Sequence, residues 1–113
     1  MKVNKELLKG STVPIILSLL ETKAMYGYEM IKEIEAQSGG IFAFKEGTLY
    51  PILHQLEAQS WVESYWDETP SRGKRKRKYY RITKKGLGQL QEKKKEWQLF
   101  RTTVDRVLGG SHP

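Results

Sequence analysis

Glu46-Gly47-Thr48-Leu49-Tyr50-Pro51-Ile52-Leu53-His54-Gln55-Leu56-Glu57-Ala58-Gln59 is the stretch on which the fold turns. Leu49, Ile52, Leu53 and Leu56 recur at a helical spacing, so they share one face of a helix from about Glu46 to Gln59. Pro51 is expected in or near the first turn, where its missing N–H costs little. Lys45, Gly47, Thr48, Tyr50, Pro51 and His54 are left pointing outward. That outer face is short and polar, with one glycine that lets another backbone come close. Thr48 and Tyr50 can donate to phosphates, and His54 and Gln55 can reach base edges.

Two further helices are expected before it. Leu7, Leu8, Ile15, Ile16, Leu19 and Leu20 predict one over 5–21, kinked or delayed by Pro14 and weakened by Gly10 and Ser11. Tyr28, Ile31 and Ile34, with Met30 nearby, predict the next over 27–37, and Ser38-Gly39-Gly40 stops it. Thr22 to Tyr26 reads as a short connection, and Ile41, Phe42 and Phe44 as an apolar connector.

After the decisive stretch, Trp61 to Trp66 and Lys78 to Ile82 read as two strands of a hairpin. Thr83 then caps a last helix, about Lys84 to Leu108. Its stripe is Leu87, Leu90, Trp97, Phe100, Val104, Val107 and Leu108. One small domain has too little other surface to cover that stripe, so a second copy of the chain is the expected cover. The fold class is therefore mainly α with a small β-hairpin: a winged helix-turn-helix followed by a long C-terminal dimerisation helix. Residues 1–83 form the expected DNA-binding domain and residues 84–113 the dimerisation helix and tail. In such a layout the Glu46–Gln59 helix enters the major groove.

Charge agrees with a polyanionic partner. Residues 1–70 carry a net −4 and residues 71–113 a net +11, which together give the chain's +7. The hairpin loop concentrates it: Arg72, Lys74, Arg75, Lys76, Arg77 and Lys78 are six cations in seven positions. At a hairpin tip such a run suits phosphates, with a strong salt dependence from counter-ion release. The 38% hydrophobic content is too high for a disordered tail. The longest near-apolar run, Val13 to Leu20, is far short of the roughly 20 residues a bilayer span needs, so no membrane is expected. The absence of cysteine excludes disulfides and thiolate metal sites and fits a reducing cytoplasm. No nucleophile–base set, paired carboxylates, metal-ligand cluster or phosphate loop emerges, so no enzyme, cofactor or metal is expected.

Three strings carry a family likeness: Tyr26-Gly27-Tyr28-Glu29, Gly47-Thr48-Leu49-Tyr50-Pro51 with Leu53, Leu56 and Glu57 behind it, and Arg75-Lys76-Arg77-Lys78-Tyr79-Tyr80-Arg81-Ile82-Thr83. Together, at this spacing, they resemble the PadR family of bacterial transcriptional regulators, over about Leu7 to Leu108. The resemblance implies a homodimeric winged helix-turn-helix repressor on double-stranded DNA, with one C-terminal dimerisation helix as in the short-tailed subgroup. It also implies an effector pocket between subunits, where a tryptophan of the last helix stacks on flat aromatic ligands. Trp97 falls at the matching place. The sequence departs from the family pattern at Ser60, where a glycine is expected after the third helix. Its wing is also more heavily basic than a typical one.

Several of these residues also have plainer readings. Trp97 can fill a dimer seam or offer a π-face to a planar ligand. Tyr26 and Tyr28 suit a helix-start core, and His54 suits plain solvent exposure. Two rivals remain at this point: a non-specific architectural nucleic-acid binder without an effector, and a protein-interaction module whose last helix docks a partner helix.

Overall fold

A computed structural model of the chain describes residues 3–67 and 76–109. Five helices and three strands follow in the order α1 (Lys5–Lys9), α2 (Thr12–Thr22), β1 (Met25–Tyr26), α3 (Gly27–Gln37), α4 (Glu46–Ala58), β2 (Val62–Trp66), β3 (Lys78–Ile82) and α5 (Lys84–Val107). The fold is mainly helical with a small antiparallel sheet, as the patterning requires.

The single helix expected over 5–21 is two. Asn4 caps α1, its side-chain oxygen accepting from the Glu6 N–H at 2.8 Å. Gly10 ends that helix, and Ser11 starts the next by accepting from Ile15 N at 3.1 Å. Pro14 is the third residue of α2, where its missing N–H would have had no helical acceptor. The break is thus a restart rather than a kink.

The sheet has the order β1-β3-β2, all antiparallel. β1 is an addition to the expected hairpin: Met25 pairs with Tyr80 and Tyr26 with Tyr79. It draws the start of α3 onto the hairpin, so the wing and the helix-turn-helix are one body. Ile16, Leu17, Met30, Leu49, Leu53 and Leu90 are fully buried at the centre, with Tyr80 and Val62 closing the sheet side. At about 1.5–3 kcal/mol for each large apolar side chain, this core is what holds α4 against α3.

Two helix ends explain the turns around α4. After α3, Gly39 (φ 62°) and Gly40 (φ 82°) take left-handed backbone, and their N–H groups donate to Ala36 O at 3.2 Å and Glu35 O at 2.8 Å. After α4 the same motif recurs without glycine. Ser60 holds φ 64°, its N–H donates to Glu57 O at 3.0 Å, and Trp61 N–H donates to Leu56 O at 3.0 Å. The departure from the family pattern therefore keeps the glycine's geometry, at the steric cost of a Cβ in the left-handed region.

Candidate nucleic-acid interface

α4 begins at Lys45, whose carbonyl accepts from Thr48 N at 3.0 Å and Leu49 N at 2.9 Å. Leu49, Leu53 and Leu56 turn inward and are buried. Lys45, Gly47, Thr48, Pro51, His54 and Gln55 are exposed, and the helical residues among them recur at three- and four-residue steps along one face. Pro51 is the sixth residue of α4, deeper than the first turn the sequence suggested. It removes the N–H that would reach the Gly47 carbonyl one turn back. A Cβ at Gly47 would meet nothing within 4 Å, so this face is open where it begins.

Tyr50 differs from its neighbours. It is half-buried, with its ring laid across the start of α3. A Cβ at Gly27 would lie 2.7 Å from Tyr50 Cζ and nearer still to the hydroxyl. Burial first, and then the negative charge of Glu46, raises the Tyr50 phenol above its ordinary pKa. The side chain thus clasps α4 to α3 more than it reaches outward. This also explains why Tyr26-Gly27-Tyr28-Glu29 and Gly47-Thr48-Leu49-Tyr50-Pro51 belong together: glycine in one string makes room for tyrosine in the other.

Of the wing cations, Arg72, Lys74 and Arg75 lie outside the described residues. Lys76 and Arg77 are exposed and Lys78 is half-buried. Asp67 N–H donates to Arg77 O at 2.8 Å, carrying the ladder one step past β2. The outer side of the sheet is a row of rings. Tyr26 meets Tyr79 edge-on at 5.4 Å, and Tyr79 stacks on Tyr65 at 5.8 Å. The Arg77 guanidinium lies 4.5 Å from the Tyr26 ring, and that of Arg81 lies 5.0 Å from the Tyr65 ring. Arg81 also meets Glu63 at 2.6 Å. Strand alternation could have revealed this row, but only with β1 recognised as a strand.

α5 is anchored at its start. Thr83 Oγ1 accepts from Gly86 N–H at 3.0 Å, and Thr83 N–H donates to Trp61 O at 3.0 Å. Lys94 Nζ reaches Glu21 on α2 at 3.1 Å. Leu90, expected at a subunit seam, is instead 0% exposed within its own chain. The first turns of α5 lie against α2, so Leu90 completes the core and has no surface to offer a second copy. Beyond Lys94 the helix projects. The Cα radius of gyration is 16.1 Å, against about 13 Å for a compact chain of this length. Along the projecting part Trp97 is 46% exposed, Phe100 53%, Val107 80% and Leu108 77%. Val104 is half-buried, Leu87 lies exposed nearer the body, and Trp97 stacks on Phe100 at 5.8 Å. Leu99, absent from the expected stripe, is exposed as well. A cavity of about 650 Å³ opens where this part leaves the body, walled in part by Pro14, Ile15, Leu19, Phe42, Leu90 and Trp97. Among the described residues no helix is long and apolar enough to cross a membrane.

Comparison with known proteins gives one consistent answer. Residues 16–92 match the transcriptional regulator PadR-like family. An uncharacterized protein of Lysinibacillus sphaericus is 37% identical over 108 residues, 96% of this chain and 97% of that one. A transcriptional regulator from Clostridium thermocellum is similar in structure, with TM-score 0.82 and 32% identity, covering 90% of this chain and 97% of that one. A PadR-like transcriptional regulator from Bacillus cereus superposes with TM-score 0.78 at 34% identity, covering 95% of this chain and all of that one.

Proposed function

Because the chain belongs to the PadR-like family of transcriptional regulators, we propose that it is a repressor that holds an inverted-repeat operator as a homodimer and lets go when a planar aromatic effector enters between the subunits. Residues 1–83 are the reading head, and residues 84–113 supply the dimerisation helix, whose first turns also seal the head's core. α4 lies in the major groove with Lys45, Thr48, Pro51, His54 and Gln55 toward the DNA. Tyr50 contributes chiefly by fixing α4 on α3. The wing cations, Arg72 and Lys74 to Lys78, lie along phosphates.

The projecting half of α5 is what supports this reading most. Trp97, Phe100, Val104, Val107 and Leu108 are apolar, and all but half-buried Val104 are largely exposed, on a helix that leaves its own body. Burying such rings and branched chains against a symmetric copy is favourable at roughly 25 cal/mol per Å² of apolar surface. Two heads joined this way face one side of a duplex, with half-sites about one helical turn or a multiple apart. The cavity beside Trp97 sits at the root of that helix, so a ligand there changes the angle between the heads. It lowers operator affinity by its preference for one of the two arrangements.

Duplexes selected by the purified protein from genomic fragments test the reading. Binding to a selected fragment should exceed binding to random duplex by several orders of magnitude. It should weaken steeply with salt and involve two chains per site. The net +11 of residues 71–113 favours one second reading, an architectural binder without an effector. A selectivity near one would establish that alternative. Trp97→Ala should abolish binding of planar aromatic ligands while sparing DNA affinity; loss of dimerisation instead would make Trp97 a packing residue.

A further inference from the structure

Val62, Ser64 and Trp66 alternate onto one side of β2, and their cross-strand partners Ile82, Tyr80 and Lys78 share that side. It is the side that meets α4. Val62 and Tyr80 are buried in the core, and the Ser64 hydroxyl donates to the Glu57 carboxylate of α4. Exposure then rises sharply along the strand: Val62 is 1% exposed and Trp66 56%. Two residues past Ser64, on the side of the sheet that meets α4, the Trp66–Lys78 rung therefore leaves its tryptophan in solvent.

Of the other cations described on the hairpin, Lys76 is exposed, while Arg77 and Arg81 are engaged elsewhere. Arg77 lies over Tyr26 and Arg81 is held by Glu63 and Tyr65, both on the opposite side of the sheet. Lys78 leans back over the Tyr80 ring at 5.7 Å, leaving the indole as the exposed apolar surface of this rung. Tryptophan, with an apolar body and a polar N–H, is enriched at surfaces that meet a partner.

We propose that Trp66 is a DNA-contact residue: its indole packs on a deoxyribose–phosphate strand lying along the wing on its α4 side, beside the ionic contact of Lys78. The inference rests on the regulator reading and adds to it an apolar contact that the basic loop conceals in the sequence. Sugars carry no base identity, so the contact strengthens binding on every sequence alike. It releases no counter-ion, so it leaves the salt dependence untouched, whereas each phosphate neutralised by a lysine changes the log–log slope by about 0.9.

Fluorescence anisotropy of labelled duplexes separates these contributions, using the full-length wild type, Trp66→Ala, Trp66→Phe and Lys78→Gln. The duplexes are one selected by the wild type and a scrambled version of it, each titrated over a range of salt. Trp66→Ala should weaken binding about tenfold on both duplexes, with the wild-type salt slope. Trp66→Phe should recover most of the loss, and Lys78→Gln should lower the slope by about one. Circular dichroism melts of each variant confirm that the exposed site leaves the fold intact. Wild-type affinity in Trp66→Ala, or a loss confined to the selected duplex, overturns the proposal and leaves the regulator reading standing. A wild-type chain that retains no duplex at all overturns both.

Discussion

Gly86 and Gly88 stand two residues apart in α5, and alanine should act on them with opposite sign. At Gly86 a Cβ would lie 2.8 Å from Ile82 Cγ1 and 3.0 Å from the Trp61 carbonyl carbon, and closer still to the carbonyl oxygen. That oxygen already accepts from Thr83 N–H at 3.0 Å and Thr83 Oγ1 at 3.1 Å. The obstacle is backbone, so the first turn of α5 must lift off the sheet. Overpacking of this kind costs about 1–3 kcal/mol. Loosening the Thr83 contacts adds about 1 kcal/mol, and alanine's better helix propensity returns about 1 kcal/mol. The net is a destabilisation of about 2 kcal/mol, or a drop of about 8 °C in Tm for a chain of this length. At Gly88 a Cβ would meet nothing within 4 Å. There only the propensity gain remains, about 1 kcal/mol and about 4 °C upward. Thermal unfolding followed by circular dichroism, at one fixed protein concentration because any self-association would shift Tm, reads both. A Gly86→Ala variant as stable as the wild type, or two shifts of the same sign, would refute the close approach of α5 to the start of β2.

Three further outcomes follow from other parts of the fold. Gly27→Ala should cost about 1–3 kcal/mol with Tyr50 present and nothing, or a slight gain, in a Tyr50→Ala background, read by denaturant unfolding of all four variants as a double-mutant cycle. Ser60→Gly should raise stability by about 1 kcal/mol, because the left-handed φ of 64° stays while the Cβ goes; an unchanged melt would show the turn relaxes. Burial, then the charges of Glu57 and Tyr50, raise the Tyr80 phenol above its ordinary value. The unfolded chain ionises first, so this contribution is complete below about pH 10 and fades as pH climbs through the raised value. Tyr80→Phe should flatten the alkaline limb of a stability–pH curve above that pH, and an identical limb in the variant would contradict it.

Much of this fold was legible because its decisive signals are local. The Leu49, Leu53 and Leu56 stripe, the Ser38-Gly39-Gly40 stop and the Thr83 cap each rest on residues within a turn or two, and each appears where the spacing placed it. What sequence could not supply depended on distant partners. β1 is two residues long and exists only because β3 offers it an edge. Leu90 shared a stripe with Trp97 and Phe100, and nothing in that stripe marks where α5 leaves the body. Tyr50 looked outward by helical position, yet Gly27, far off in the chain, opens a slot that turns it in. Trp66 read as an ordinary strand residue because strand pattern does not mark where the core stops covering β2, buried at Val62 and exposed at Trp66. The exposed face of α4 was legible from periodicity alone, whereas contacts made between elements were not.

Two reading heads clasped through α5 is the premise beneath the operator, the effector and the groove geometry alike. Sedimentation equilibrium of the purified full-length chain, alone and with a selected duplex, tests it most directly. Twice the chain mass in solution and two chains on each duplex are expected, with Phe100→Glu plus Val107→Glu reducing both to one while circular dichroism stays helical. A wild-type chain that sediments singly, free and on DNA, would contradict the account.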